Sequence, residues 1–144
     1  MSIELRQCEP VHVPVLLRAL GSWYGGPSAR PLGDGAARSL LGLARNPSLG
    51  SIWLIEARGA LVGYAIVETR PPRGFLWQEA ALGALYLVPD ARQAGVGRVV
   101  RRVLGELMLG RGCGLTAQER AVDDRHWALL SAPAAESAMS VAAA

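Results

Sequence analysis

The segment from Leu82 to Gly110, LGALYLVPDARQAGVGRVVRRVLGELMLG, constrains the fold of this chain more than any other. An apolar run, Leu85-Tyr86-Leu87-Val88, is cut by Pro89-Asp90, and a glycine-bearing turn, Arg92-Gln93-Ala94-Gly95-Val96-Gly97, opens an amphipathic stretch. There Val96, Val99, Val100, Val103, Leu107 and Met108 recur at helical spacing, while Arg98, Arg101, Arg102 and Glu106 fall off the stripe. Strand, glycine turn and helix in that order make an anion cradle. The first N–H groups of a helix have no partner inside it, and the peptide dipoles place about half a positive charge there. A phosphate is the natural occupant. Gly95 and Gly97 lack a Cβ, so a pyrophosphate can approach the main chain, and positive φ at both would let successive N–H groups converge.

Two other phosphate motifs fail on specifics. A Walker loop needs Gly-Lys-Ser/Thr, and the chain contains no lysine. A dinucleotide fingerprint would put a third glycine where Val100 stands. The turn resembles the R/Q-x-x-G-x-G/A signature of the GNAT superfamily of N-acetyltransferases, with Arg92 first and Gly95 and Gly97 as the glycines. The resemblance implies acetyl-CoA as cosubstrate, held by Leu87, Val88, Arg92, Gln93, Ala94, Gly95, Val96, Gly97 and Arg98. The plainer alternative is an ordinary helix start. Arg92, Arg98, Arg101, Arg102 and Arg111 gather in sequence around this stretch, a field suited to a polyanionic cofactor or simply a solvated helix face.

Taken in order, Ile3 to Arg6 reads as a short strand. A first helix starts near Glu9, with Pro10 and Pro14 tolerated at its beginning and Val13, Leu16, Leu17 and Leu20 on its apolar face. Gly21 to Asp34 reads as a glycine- and proline-rich loop carrying Trp23 and Tyr24, which the resemblance places at the acceptor site; the alternative for Trp23 is closure of the core. Gly35 to Arg45 is a second helix, ended by Asn46-Pro47. Ser51–Ala57 and Leu61–Thr69 form a hairpin about Arg58-Gly59, with Gly63 marking a bulge or close packing. Phe75 to Gln78 extends the next strand or caps the acceptor side. Cys113 to Ala117 is a short strand, and Asp123 or Asp124 caps a last helix through Leu130.

The order β-α-α-β-β-β-α-β-α predicts an α/β (α+β) fold like that of the GNAT enzymes, a mixed, mostly antiparallel central sheet flanked by helices. Residues 1–130 form the single acyltransferase-like domain, and 131–144 an Ala/Ser-rich tail of mobile composition. Two departures from the resemblance stand out. No strand pattern or Tyr-x-x-x-Gly-Phe-like segment follows the last helix, so either the sheet is short or a second copy supplies its edge in a homodimer. Ala84 stands where an acidic residue often precedes the strand motif.

At 144 residues, about half of them apolar, the chain suits one globular domain. A net charge of +3 does not favour nucleic acid. No window reaches the roughly 18 apolar residues of a membrane span, and the first residues lack a signal-peptide core, so the expected location is cytoplasmic with no membrane partner. Cys8, Cys113, His12 and His126 show no metal-ligand spacing, and no metal is expected.

The function implied by the resemblance is transfer of an acetyl group from acetyl-CoA to a primary amine, on a small molecule or a peptide amino terminus, by direct attack. Glu79, first, and Glu68, second, are the candidate proton acceptors; both also suit solvated strand ends. A backbone N–H near Leu87 or Val88 would stabilise the thioester oxygen. Tyr86 is a cleft-facing candidate or a core aromatic. No Gly-x-Ser-x-Gly elbow or Cys/His dyad supports a covalent route. Two other readings stay open, a non-catalytic acyl-CoA-binding or regulatory domain and an unrelated nucleotide-binding module; the hairpin ahead of the turn argues against the latter.

Overall fold

The structure, a computed structural model, describes residues 2–25, 34–70 and 78–116. Strand β1 (Ile3–Gln7) leads through a 3₁₀ turn at Pro10–His12 into helix α1 (Val13–Gly25), followed by α2 (Asp34–Arg45). Strands β2 (Gly50–Ala57), β3 (Ala60–Thr69) and β4 (Gln78–Leu87) then lead to a short helix α3 (Pro89–Gln93), the long helix α4 (Val96–Gly110) and β5 (Cys113–Thr116). The five strands form one sheet in the order β1-β2-β3-β4-β5, antiparallel except for the parallel β4–β5 pair. This is the expected mixed, mostly antiparallel sheet. The expected last helix, the closing edge and the tail at 131–144 lie outside the described residues, as do Phe75 to Trp77.

Alternation along the strands sends side chains to two cores. On one face Tyr64, Ile66 and Ala84 pack with Leu16, Leu20 and Leu40 of α1 and α2. On the other Ala65, Val67, Leu82 and Leu87 pack against Val96, Val100, Leu104 and Met108 of α4. The buried line of α4 thus runs at steps of four residues through Leu104, and Leu107 lies at its exposed margin. Among the described residues no helix is long and apolar enough to cross a membrane.

The hairpin forms as expected, turning on Arg58 (φ 53°) and Gly59 (φ 74°), the paired positive φ of a tight two-residue turn. Gly63 faces the β4 backbone so closely that a Cβ would collide with the Tyr86 carbonyl oxygen and stand 3.1 Å from Leu87 Cα. The bulge falls beside it, with Val62 as the extra residue between the Ile55–Gly63 and Glu56–Leu61 pairs.

One boundary differs from expectation. The segment from Gly21 does not leave the helix: α1 continues to Gly25, so Trp23 and Tyr24 belong to its last turn, not to a loop. Glycine density suggested a break, but Leu16, Leu20 and Trp23 continue one apolar stripe, and that packing outweighs a single glycine costing about 1 kcal/mol.

Candidate active site

The site is built on β4, whose two halves have different neighbours. From Gln78 to Ala81 it pairs with β5, ending at Ala81 opposite Thr116. From Leu82 to Leu87 no strand among the described residues covers that edge. The division coincides with a bulge: Ile66 pairs with Ala84 and Val67 with Leu82, leaving Gly83 as the extra residue. A bulge bends its strand and raises its twist, which turns the second half of β4 away from the line of the first.

Strand geometry identifies the groups facing the open edge. A strand residue directs its N–H and C=O to the same side, and its neighbours direct theirs to the other. The Val88 N–H donates to the Val62 carbonyl at 2.9 Å, so it is spent on β3. Leu87 therefore faces away from β3, and its carbonyl accepts from Arg92 Nε at 2.8 Å. The Leu87 N–H is directed to the same uncovered side.

Beyond Leu87 the chain does not run straight into the long helix. Pro89 starts α3, a single turn of fixed φ, and Ala94-Gly95 reverses the chain into α4. Gly95 is the N-cap of α4 at φ 78°, ψ 16°, with no side-chain cap. The first N–H groups of α4 thus lack the usual capping oxygen, and a Cβ at Gly95 would meet nothing within 4 Å. This open, uncapped, left-handed turn fits a pyrophosphate. Gly97 differs from the expectation of positive φ at both glycines: it lies inside the first turn of α4, where a Cβ would stand 3.5 Å from Leu87 Cδ1, an ordinary contact.

The arginines separate along the helix. Arg92 is folded back, bonding the Leu87 carbonyl while its guanidinium lies 5.5 Å from the centroid of the Tyr86 ring, so it braces the turn against the strand. The Arg101 guanidinium reaches back toward Gly97. Arg98 is exposed in the first turn of α4, Gln93 at the end of α3 and Ala94 in the turn between the two helices. Arg111 does not join this group. It lies past the C-terminal end of α4, about 22 Å of helix away, against Gln7 and Trp53.

On the α1–α2 face, Trp23 stacks on Tyr64 (centroids 6.3 Å, planes 2° apart) and on Tyr86 (5.2 Å, 28°). Tyr86 is half-buried between this stack and Arg92, and Trp23 is both part of the core and a wall beside the second half of β4. Tyr24 is the next residue of the same turn. Glu68 is exposed on β3 opposite Ala81, and its carboxyl group lies over the bulge: a Cβ on Gly83 would come within 2.9 Å of the Glu68 carboxyl carbon. Glu79 is half-buried on the same face by alternation, its carbonyl accepting from the Arg70 N–H at 2.9 Å. Ala84, 3% exposed opposite Ile66, offers no polar group. Sequence reasoning missed Gly83 and Tyr64. Gly83 interrupts a strand as Gly63 does, so the same cue applied to it.

No protein-family model matches the sequence, and no curated protein matches it. Solved structures do. An integron cassette protein from the mobile metagenome of Cole Harbour Salt Marsh superposes with a TM-score of 0.65 at 24% identity, over 80% of this chain and 76% of that one. AAC(6')-Iy, in complex with the bisubstrate analog CoA-S-monomethyl-acetylneamine, gives 0.61 at 17% identity over 83% and 81%. The ribosomal-protein-alanine N-acetyltransferase of Brucella melitensis biovar Abortus 2308 gives 0.61 at 16% over 88% and 87%. The chain has the fold of the GNAT acetyltransferases.

Proposed function

We propose that this chain transfers an acetyl group from acetyl-CoA to a primary amine, on a small molecule or an amino terminus, by direct attack of the amine on the thioester. The observation that carries the reading is the juxtaposition of an uncovered β4 edge, Leu82 to Leu87, with the uncapped start of α4 at Gly95. The edge offers backbone groups to an extended amide-bearing arm, and the turn offers convergent N–H groups to its phosphates. The likeness to a structure holding a CoA-linked analog supports the same ligand.

Acetyl-CoA, when bound, supplies the activated acetyl group. The chain's own residues do the rest. The N–H groups of Val96, Gly97 and Arg98 receive the pyrophosphate, Gly95 gives the turn its shape, and Gln93 and Ala94 line the approach. The Leu87 N–H polarises the thioester carbonyl, Val88 holds that strand end to β3, and Arg92 keeps the Leu87 peptide in place. An amine with a pKa near 10.4 costs on the order of 4–5 kcal/mol to deprotonate at neutral pH, so a proton acceptor is required. Glu68, over the bulge where the strands part, is the best-placed carboxylate, ahead of Glu79 in the β5-paired half. Tyr86 carries the hydroxyl that would return a proton to the leaving thiolate, and Trp23 forms the acceptor wall, with Tyr24, the next residue of the same turn, as the second proposed acceptor residue.

Calorimetric titration with acetyl-CoA, against CoA and ATP, followed by free-thiol release over a panel of amines, tests the reading. Binding of acetyl-CoA in preference to ATP with amine-dependent thiol release supports it. The apolar Ala84 in the middle of the site favours one alternative, a non-catalytic acyl-CoA-binding domain, which predicts binding without release from any amine.

A further inference from the structure

At the opposite end of the sheet from the glycine turn, the end of α4, the first residues of β4 and β5 and the loop leading into β2 line an open cavity of about 360 Å³. Gln78 begins β4 and Leu87 ends it, so about 30 Å of strand separates this cavity from the candidate transfer site. Its size falls within the range of small-ligand sites. No acidic side chain lines it, and Arg111 is the only ionised group on its wall among the described residues.

The wall is rich in donors, and one of them, the Ser51 hydroxyl, is buried. Ser51 is 8% exposed, and its hydroxyl oxygen accepts from Trp53 Nε1 at 2.8 Å, while its own proton has no acceptor among the described residues. The Thr69 hydroxyl on the same wall has no partner among the described residues either. Gln7 Oε1 accepts from Arg111 Nη2 at 3.0 Å and Gln78 Oε1 accepts from the Cys113 thiol at 3.7 Å, which leaves both amide NH₂ groups to donate. The Trp53 indole joins the two strongest donors, because Arg111 lies 5.2 Å from its ring centroid while its N–H holds Ser51. The Met108 and Leu109 carbonyls at the end of α4 already accept from the Arg111 and Gly112 N–H groups, and the Arg111 charge offsets the negative end of the helix dipole. Val67, Ala80 and Met108 form an apolar strip of the wall, and the Ser48 hydroxyl, also on it, donates to Asn46 Oδ1 at 2.6 Å. A buried donor without an acceptor is rare in folded proteins and marks a position where a ligand's acceptor belongs.

We infer that this cavity is a second ligand site, which takes a short-chain aliphatic carboxylate with its carboxylate between Arg111 and the Ser51 hydroxyl and its chain along Met108 and Val67. Cys113, half-buried on the wall, reports on occupancy. In the intact protein, saturating butyrate is expected to slow alkylation of Cys113 by iodoacetamide at least about tenfold, read by peptide mass, and to raise the melting temperature. Butylamine at the same concentration is expected to do neither. Arg111→Gln should weaken butyrate protection about tenfold or more, the loss expected for a charge-assisted contact. Ser51→Ala should weaken it too, which keeps the test open if either variant is destabilised. Absence of protection by butyrate, equal protection by butylamine, or undiminished protection in both variants would overturn the proposal.

Discussion

At Gly95 the backbone sits at φ 78° and a Cβ would touch no protein atom within 4 Å, so glycine is required there by conformation and the space beside it faces outward. Gly97 is helical, with an ordinary contact awaiting a Cβ. The two substitutions should therefore separate. Gly95→Ala should cost about 1–2 kcal/mol for the left-handed backbone and, on the proposed function, weaken acetyl-CoA binding by about tenfold or more, because the turn that aims the N–H groups is deformed. Gly97→Ala should gain up to about 1 kcal/mol of helix propensity and leave acetyl-CoA affinity nearly unchanged. Thermal melts and calorimetric titrations of the two variants check this. Equal losses of affinity in both would show that bulk, not backbone shape, matters at this turn. The signature was legible in the residues because backbone requirements select glycine. The distinction between the two glycines was not, since a glycine that permits positive φ and one that merely allows close approach look alike in sequence.

Among the elements, the bulged β4 and the overlong α1 decide what the site contains. Gly83 lets the Glu68 carboxyl group lie directly over the strand, and a methyl group there would push aside the far end of a flexible side chain, not backbone. Gly83→Ala should accordingly leave the melting temperature within a few degrees while moving the carboxylate off its position. Under the proposed chemistry it should lower the rate with amine substrates in the same direction as Glu68→Gln, for which a loss of about 100-fold is expected with acetyl-CoA affinity unchanged. A full rate in Glu68→Gln, together with a loss in Glu79→Gln, would transfer the role to Glu79. By contrast Gly63→Ala meets the β4 backbone and should destabilise the whole sheet, a difference that denaturant melts resolve. Most of these elements were readable from the 3.6- and 2-residue periods of their buried faces. Three facts were not. The helical extension to Trp23 depends on stacking with Tyr64 and Tyr86 from distant strands. The position of Arg111 follows from helix length, and the pairing of Val88 with Val62 is a backbone relation that side-chain types do not encode.

At the scale of the whole molecule, the sheet separates two cores, and the core under α1 and α2 contains a titratable group with no role in the proposed chemistry. Cys8 follows β1, its N–H donating to the Ile52 carbonyl at 2.7 Å and its thiol toward the Glu9 carbonyl at 3.6 Å. Burial pushes its pKa from 9.0 up to about 11, because the thiolate would lose its hydration there. Between those values the unfolded chain releases the proton and the folded chain keeps it, so the unfolded state binds fewer protons and stability falls as pH rises. The contribution is intact below pH 9 and is lost progressively toward pH 11, to a total of about 2–3 kcal/mol. The informative quantity is the difference between the wild-type protein and Cys8→Ala, in which contributions from all other groups cancel. Chemical denaturation at intervals from pH 8 to pH 11 is expected to give a Cys8→Ala curve that starts lower, through the small cavity, and converges on the wild-type curve as pH rises. Parallel curves over the whole range would mean that water reaches the thiol, and that the helices α1 and α2, which also carry the aromatic wall of the candidate site, do not seal that face of the sheet.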